Sequence, residues 1–208
     1  GLRIGVDTKW NTANVEEGVK STLAAALKVI ADLGGDIREV TFPDPEQVIA
    51  DWFPLCGVET AVAHEATYPS RKDEYGPGLA GLIDLGRSQT GLDYQKIVLR
   101  RNDFRGRVEA VFQNIDLLFV PATAVASPTM AQMAGLAEDA DLISGLLRYT
   151  CPFDMTGSPT ITLPSGFTPQ NTPTAFQFVS RHFEEELLVR AGWAYQQATD
   201  WHRKHPDL

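Results

Sequence analysis

The sequence predicts an α/β fold in which a mixed β-sheet is covered by helices. Residues 2–42 predict a strand, a helix and a second strand. A short apolar run comes first, apolar residues at helical spacing follow it, and another apolar run ends the segment. Such a unit is parallel and right-handed. The run Ile115–Val120, apolar except for Asp116 and ended by Pro121, is typical of a central strand that is covered on both faces.

Capping and breaking residues place the first helices. Asn14 is a suitable N-cap for the helix of the first unit, and Gly34 supplies its end, because glycine readily adopts the left-handed conformation found after helices. The run 44–46 starts a second helix with an acidic residue, a proline and another acidic residue. Pro54 predicts that this helix kinks or breaks before it resumes at Gly57, so that two helical pieces are expected.

The later part of the chain predicts helices on both sides of a long loop. Pro77 stands at the start of a short helix, and apolar residues at helical spacing predict a long helix over 94–112. Residues 121–141 show no sustained periodicity and predict a loop, which at this length is commonly functional. The remaining predicted elements are strands at Thr160–Leu163 and Ala175–Val179 and a helix over 187–201.

The composition is that of one globular domain over all 208 residues, with 43% hydrophobic and 22% charged residues. Asp and Glu outnumber Lys and Arg by 27 to 18, which disfavours a nucleic-acid partner. Apolar runs are shorter than the roughly 18 residues of a spanning helix, so we expect no membrane partner. Cys56 and Cys151 are too few for a disulfide framework and predict a reducing, cytoplasmic location, although one bridge between them stays open.

Local motifs do not assemble a self-contained catalytic site. The chain has no Gly-x-Ser-x-Gly elbow, no Walker loop and no Gly-x-Gly-x-x-Gly after a strand. The four histidines have no Cys or carboxylate at ligand spacing, so we expect neither a metal nor a cofactor. The acidic run 184–186 is typical of a helix start, where the macrodipole favours negative charge. The residues themselves therefore indicate no catalytic group.

Asp154 allows two interpretations. It lies in a predicted turn over Cys151–Gly157, where an aspartate ordinarily accepts hydrogen bonds from backbone N–H groups and shapes the turn. The alternative is direct contact with a substrate. We favour the first interpretation, because shaping such turns is the usual role of Asp.

The order of several segments resembles the C-terminal part of the amidase signature family. The segments that carry the resemblance are Pro152–Pro159, Thr160–Gly166, Pro173–Phe178, His182–Leu188 and Ala198–His202. Weaker matches at Leu2–Val6, Glu59–His64, Tyr75–Pro77 and Asp116–Pro121 extend it over nearly the whole chain.

The resemblance implies part of a hydrolase that converts a carboxamide to a carboxylate and ammonia. Enzymes of this family use a serine nucleophile, relayed through a second serine to a lysine base, within a glycine- and serine-rich signature. This chain contains no Gly-Gly-Ser-Ser-Gly-Gly run. We therefore expect the C-terminal fragment of a longer amidase domain, without the Ser-Ser-Lys region and inactive alone. The alternative is a naturally short, non-catalytic binding or assembly protein on the same scaffold.

The resemblance also implies where the walls of an acyl pocket lie. The expected wall residues are Ala122, Thr123 and Ala124 after a strand, and Cys151, Phe153, Asp154 and Thr156 in the turn. Family members commonly carry Asn at the position of Asp154. The A subunit of the tRNA-dependent amidotransferase holds glutamine with an arginine and an aspartate that align near Leu82 and Leu147, where neither charge appears. A general amidase with a small-molecule amide substrate is therefore preferred, and the open edges of a truncated sheet predict a homo-oligomer.

Overall fold

The computed structural model describes residues 1–205 and divides into two compact units. The first unit combines residues 1–43 with the chain from Arg107 onward, and the second is Asp44–Gly106. The helices and strands are, in chain order, β1 (Arg3–Val6), α1 (Thr8–Thr12), α2 (Glu17–Asp32), β2 (Asp36–Glu39), α3 (Glu46–Ala63), α4 (Pro77–Ser88), α5 (Gly91–Val111), β3 (Leu117–Pro121), α6 (Met130–Ala134), α7 (Ala140–Leu147), α8 (Cys151–Thr156), β4 (Thr160–Phe167), β5 (Pro173–Val179) and α9 (Glu185–Ala198). Short 3-10 helices lie at Lys72–Glu74, Leu136–Glu138 and Trp201–Arg203.

The first unit is built on a mixed sheet with the strand order β2-β1-β3-β5-β4. β1 pairs in parallel with β2 and β3, whereas β5 is antiparallel to both β3 and β4. Helices α2 and α9 lie side by side against β4 and β5. This arrangement confirms the predicted α/β fold, and β3 is buried along its whole length, as its apolar run predicts.

Aromatic residues of the sheet fill the core beneath α2 and α9. The rings of Phe119 and Phe178 pack against Phe176, with centroids 4.9 and 5.0 Å away. Tyr195 of α9 contacts the same Phe176 ring edge-on at 4.9 Å. The final helix is therefore fixed by its apolar side, as its spacing predicts.

Helix α2 begins later than the sequence predicts. Its N-cap is Glu16, and Asn14 instead has a positive φ of 55°. The Glu16 N–H donates to the carbonyl oxygen of Ala124 at 2.8 Å, and the Glu16 carboxylate accepts from the Ala126 N–H at 2.8 Å. Tertiary contacts therefore set the start of the helix, whereas Gly34, with φ of 89°, ends it as predicted.

In the second unit, α3 is one continuous helix through Pro54, so the predicted division into two helical pieces is wrong. A proline inside a helix removes one backbone hydrogen bond and costs about 3 kcal/mol. Packing against α4 compensates, because the two backbones meet at Gly57 and Gly86, where a Cβ on Gly57 would lie 2.9 Å from the Gly86 nitrogen. Arg100 of α5 also holds α3, since its guanidinium donates to both carboxylate oxygens of Asp51 at 2.6 and 2.7 Å.

Two segments of the first unit are more helical than predicted. The expected loop 121–141 contains α6 and the start of α7, and the expected turn at Cys151–Gly157 is the short helix α8, which ends at Gly157 with φ of 70°. Thr129 and Gln132 form a capping box at α6, and the Asp139 carboxylate accepts from the Leu142 N–H at 2.9 Å. These caps stabilise helices too short to show apolar periodicity.

No helix within residues 1–205 has the length and apolar character needed to cross a membrane.

Candidate functional site

The loop that follows β3, residues 122–127, lies between two cavities of the first unit. A cavity of about 330 Å³ is lined by Ala122, Thr123, Ser127, Thr162, Pro164, Pro173, Thr174 and Ala175. A cavity of about 560 Å³ is lined by Asn14, Ala124, Val125, Asp139, Asp141, Leu142, Ser144, Gly145 and Arg148. We refer to residues 122–127 as the β3 loop. It begins at the carboxyl end of a central strand, where ligands of α/β proteins commonly bind.

Backbone hydrogen bonds hold the β3 loop on both sides. The Ala122 N–H donates to the carbonyl oxygen of Ala175 on β5 at 3.0 Å. The Ala124 N–H donates to the carbonyl oxygen of Gly145 on α7 at 2.8 Å. Within the loop, the Thr123 hydroxyl donates to the Val125 carbonyl oxygen at 2.7 Å. The loop is therefore a fixed partition between the two cavities.

The larger cavity carries both signs of charge. Asp139 and Asp141 contribute carboxylates to its lining, and Arg148 contributes a guanidinium whose Nη2 donates to the Trp10 carbonyl oxygen at 3.4 Å. One Asp139 carboxylate oxygen caps α7, while Asp141 is exposed. A cavity with this lining suits a polar ligand better than a purely apolar one.

Four aromatic side chains support the segment between α7 and α8, and we refer to Trp10, Phe42, Tyr149 and Phe153 as the aromatic cluster. Trp10 and Phe42 stack with centroids 4.1 Å apart and planes 2° apart. Tyr149 and Phe153 approach the Trp10 ring at 4.8 and 6.4 Å. The buried Asp7 carboxylate accepts from the N–H groups of Trp10 and Phe42 at 2.8 and 2.7 Å. These bonds fix α1, and with it the packing of α8.

The structure brings only part of the expected wall to the cavities. Ala122 and Thr123 line the smaller cavity, and Ala124 lines the larger one. Cys151, Phe153, Asp154 and Thr156 belong to α8 and line neither of these two cavities. Cys151, Phe153 and Thr156 are buried, with Phe153 in the aromatic cluster and the Thr156 hydroxyl 2.8 Å from Ser158 Oγ.

Asp154 does not shape a turn by accepting backbone hydrogen bonds, so the interpretation favoured from the sequence is wrong. Its carboxylate makes no hydrogen bond within residues 1–205, because the nearby N–H groups pair with backbone carbonyls of the helical turn, as the Asp154 N–H does with Thr150 at 3.1 Å. The residue is exposed, yet partial desolvation of the carboxyl raises its pKa.

The larger cavity takes part of its lining from α7 and its caps, at Asp139, Asp141, Ser144 and Arg148. Asp139 and Asp141 lie in the stretch 121–141 that the sequence predicts as a functional loop, whereas Ser144 and Arg148 were not predicted. The sequence did carry a signal of the short helices in this region. Thr129 and Gln132 form a capping box at the start of α6, and Asp139 caps the start of α7. In the described part of the chain, His, Cys, Asp and Glu side chains form no group of three or more able to hold a metal ion.

Comparison with known proteins places the chain in the amidase family. The family model described as Amidase matches residues 1–189. The chain is 40% identical over 207 residues to the putative amidase AmiD of Mycobacterium tuberculosis, a match that covers 99% of this chain and 43% of that protein. It is 30% identical over 211 residues to an amidase of Pseudomonas putida, covering 100% of this chain and 45% of that protein.

Solved structures show the same fold at lower identity. A 6-aminohexanoate cyclic dimer hydrolase complexed with substrate matches with a TM-score of 0.84 and 20% identity, over 100% of this chain and 47% of that chain. A bacterial aryl acylamidase of the amidase signature enzymes matches with a TM-score of 0.78 and 17% identity, over 98% of this chain and 44% of that chain. The chain spans less than half the length of each of these relatives.

Proposed function

Because this chain belongs to the amidase signature family, as the match over residues 1–189 and the 40% identity to a relative show, we propose that it is part of an enzyme that hydrolyses a carboxamide to a carboxylate and ammonia. The family match carries this proposal. The substrate we propose is a small-molecule amide, acted on in the cytoplasm.

We propose further that these residues form the C-terminal part of the enzyme and do not supply its nucleophile. Amide hydrolysis through a serine needs an activated hydroxyl, a base and donors for the oxyanion. Ser158 Oγ lies 2.8 Å from Thr156 Oγ1, and Ser165 Oγ lies 3.0 Å from Thr174 Oγ1. Each serine thus pairs with a threonine hydroxyl, and within residues 1–205 neither threonine hydroxyl is hydrogen-bonded to a lysine that could act as the base. The absent Gly-Gly-Ser-Ser-Gly-Gly run gives further support.

The proposed contribution to the enzyme is a scaffold with acyl-pocket walls. Ala122, Thr123 and Ala124 suit a wall, because small side chains on a fixed loop leave room for an acyl group beside it. We assign the α8 residues Cys151, Phe153, Asp154 and Thr156 to a layer that borders the pocket in the complete enzyme. The burial of Phe153 in the aromatic cluster favours a structural role for α8 behind the pocket.

Ammonia release from a panel of aliphatic, aromatic and amino-acid amides tests the proposal. The 208-residue chain is compared with the product of the full reading frame that encodes it, after circular dichroism has verified that both are folded. We expect release from the full-frame product and loss of activity by orders of magnitude in the 208-residue chain. Release by the short chain at the full-frame rate contradicts the proposal. A reading frame that encodes only these residues, with a folded but inactive product, favours the binding or assembly protein instead.

A further inference from the structure

A polar side chain lies in the middle of the interior strand β5. Gln177 stands between Phe176 and Phe178, and successive side chains of a strand point to opposite faces of the sheet. The two phenylalanines pack in the core beneath α2 and α9, so the Gln177 side chain lies on the other face. Gln177 is only 5% exposed. A buried amide needs hydrogen-bond partners, because an unpaired polar group inside a protein is costly.

The amide group of Gln177 bridges two segments that are distant in sequence. Its nitrogen Nε2 donates to the carbonyl oxygen of Pro121 at 3.2 Å and to the carbonyl oxygen of Tyr149 at 2.9 Å. Carbonyl oxygens only accept hydrogen bonds, so the NH2 end of the amide faces both of them and uses both of its hydrogens. Pro121 directly precedes the β3 loop, and Tyr149 directly follows Arg148, which lines the larger cavity.

The β3 loop and α7 also meet without spare room. The Ala124 N–H donates to the Gly145 carbonyl oxygen at 2.8 Å, and a Cβ on Gly145 would lie 2.9 Å from Cγ1 of Val125. The two sides of the larger cavity are thus joined twice, by this contact and by the Gln177 bridge. Both carbonyl groups of the bridge belong to buried residues, so the bridge does not depend on which surfaces of the chain are covered.

We propose that Gln177 is a positioning residue that fixes the gap between the β3 loop and the segment 145–149, and thereby limits the size of the acyl group that the enzyme accepts. This inference rests on the proposed amidase function, with the β3 loop as a wall of the acyl pocket. Gln177 lines neither cavity, so it acts through the two carbonyl groups that it binds. A fixed gap keeps a small acyl group in contact with both walls, whereas a loosened gap loses that contact and admits larger groups.

The alternative is that the bridge only stabilises the fold. Removing it would then lower stability but leave the preference among amides unchanged, because the walls would return to the same separation. Substrate selectivity therefore distinguishes the two interpretations, whereas stability does not.

Steady-state kinetics of the full-frame product test the bridge with Gln177→Met, which keeps an unbranched side chain and removes both donors. The substrates are the smallest and the largest acyl amides that the unchanged enzyme hydrolyses in the panel described above. We expect the ratio of their kcat/KM values, small over large, to fall about tenfold through KM, with kcat changed less than about threefold. Amide hydrogen exchange, followed by mass spectrometry, should be about tenfold faster at residues 122–126.

Asp116→Asn is the matched control, because it removes the ion pair with Arg3 at the other end of β3. It weakens the fold without touching the gap, so the amide ratio and the exchange at residues 122–126 should stay unchanged. Gly145→Ala is a second variant on the same gap, since its added methyl group would displace Val125 and leave no polar group unpaired. It should lower the amide ratio in the same direction.

A folded Gln177→Met enzyme with an unchanged amide ratio overturns the inference and leaves Gln177 with a stabilising role alone. If Gln177→Met does not fold, Gly145→Ala decides, and an unchanged ratio in that variant overturns the inference as well. A folded full-frame product that releases no ammonia from any amide of the panel overturns the proposed function, and this inference with it.

Discussion

The hydroxyl of Tyr149 donates a hydrogen bond of 2.5 Å to the backbone oxygen of Trp10. Tyr149 is fully buried, and its burial raises the pKa of the phenol to about 12. The bond joins the segment between α7 and α8 to α1, so it sets the position of the helix that lines the larger cavity. A neutral phenol keeps this bond over the whole physiological pH range.

Removing this hydroxyl should destabilise the fold. We expect Tyr149→Phe to lower the free energy of unfolding by about 0.5–1.5 kcal/mol, because the Trp10 carbonyl loses its shorter hydrogen bond and keeps only the 3.4 Å bond from Arg148. Tyr195→Phe is the matched control, since Tyr195 is equally buried but its hydroxyl has no partner within residues 1–205. Urea unfolding should show no loss for Tyr195→Phe. Equal losses for both variants contradict the role of the Tyr149 bond.

The close approach of α3 and α4 predicts a strong difference between two glycines of one helix. A Cβ at Gly86 would overlap the carbonyl oxygen of Gly57, so Gly86→Ala should cost about 3 kcal/mol of stability. Gly81 of the same helix has no heavy atom within 4 Å of an added Cβ, and Gly81→Ala should stabilise by about 0.5–1 kcal/mol. Thermal unfolding of both variants checks this, and a tolerated Gly86→Ala would show that the helices are farther apart.

The ion pair between Arg3 and Asp116 predicts a pH-dependent stability. Hydrogen bonds from the Arg3 side chain lower the pKa of the Asp116 carboxyl from 3.8 to about 2. A lowered folded-state pKa means that the stabilisation is present above the unfolded pKa and is lost as the pH falls toward 2. We expect Asp116→Asn to cost about 1 kcal/mol at pH 6, after allowance for solvent screening, and much less near pH 2. Urea unfolding at both pH values measures this. A pH-independent difference contradicts the assigned pKa.

The β3 loop predicts an effect on substrate binding in the full-frame enzyme. Ala122→Leu should fill part of the smaller cavity and raise KM about tenfold for bulky amides, with a smaller effect on small ones. Ala134→Leu on α6 is the control, because Ala134 is exposed and lines neither cavity. Steady-state kinetics with a short and a bulky aliphatic amide distinguish the Ala122→Leu variant from the Ala134→Leu control. An unchanged KM for Ala122→Leu would show that the β3 loop does not line the substrate pocket.

The sequence predicts most of the sheet and the long helices, because these elements depend on local apolar patterns. The central strand β3 follows from a continuous apolar run, and the end of α2 follows from Gly34. The errors occur where tertiary contacts decide. Pro54 is held in a continuous helix by packing against α4, and Asn14 gives way as a cap because Glu16 binds the β3 loop.

The candidate site was less predictable than the fold. Its lining from α7 lies in a segment with short helices, where only caps such as Thr129 and Asp139 indicate the structure. Asp154 was expected to bond with the backbone of a turn, but the same residues form a helix that uses its own N–H groups. Which side chains meet across a cavity depends on contacts distant in sequence, as between Ala124 and Gly145.

The position of the nucleophile can be measured directly. The full-frame product is labelled with a fluorophosphonate, which bonds to an activated serine and releases fluoride, and the labelled peptide is identified by mass spectrometry. We expect a single labelled serine outside these 208 residues, and we expect the labelled enzyme to release no ammonia. Stoichiometric label on Ser158 or Ser165 would contradict it, because the nucleophile would then lie within this chain.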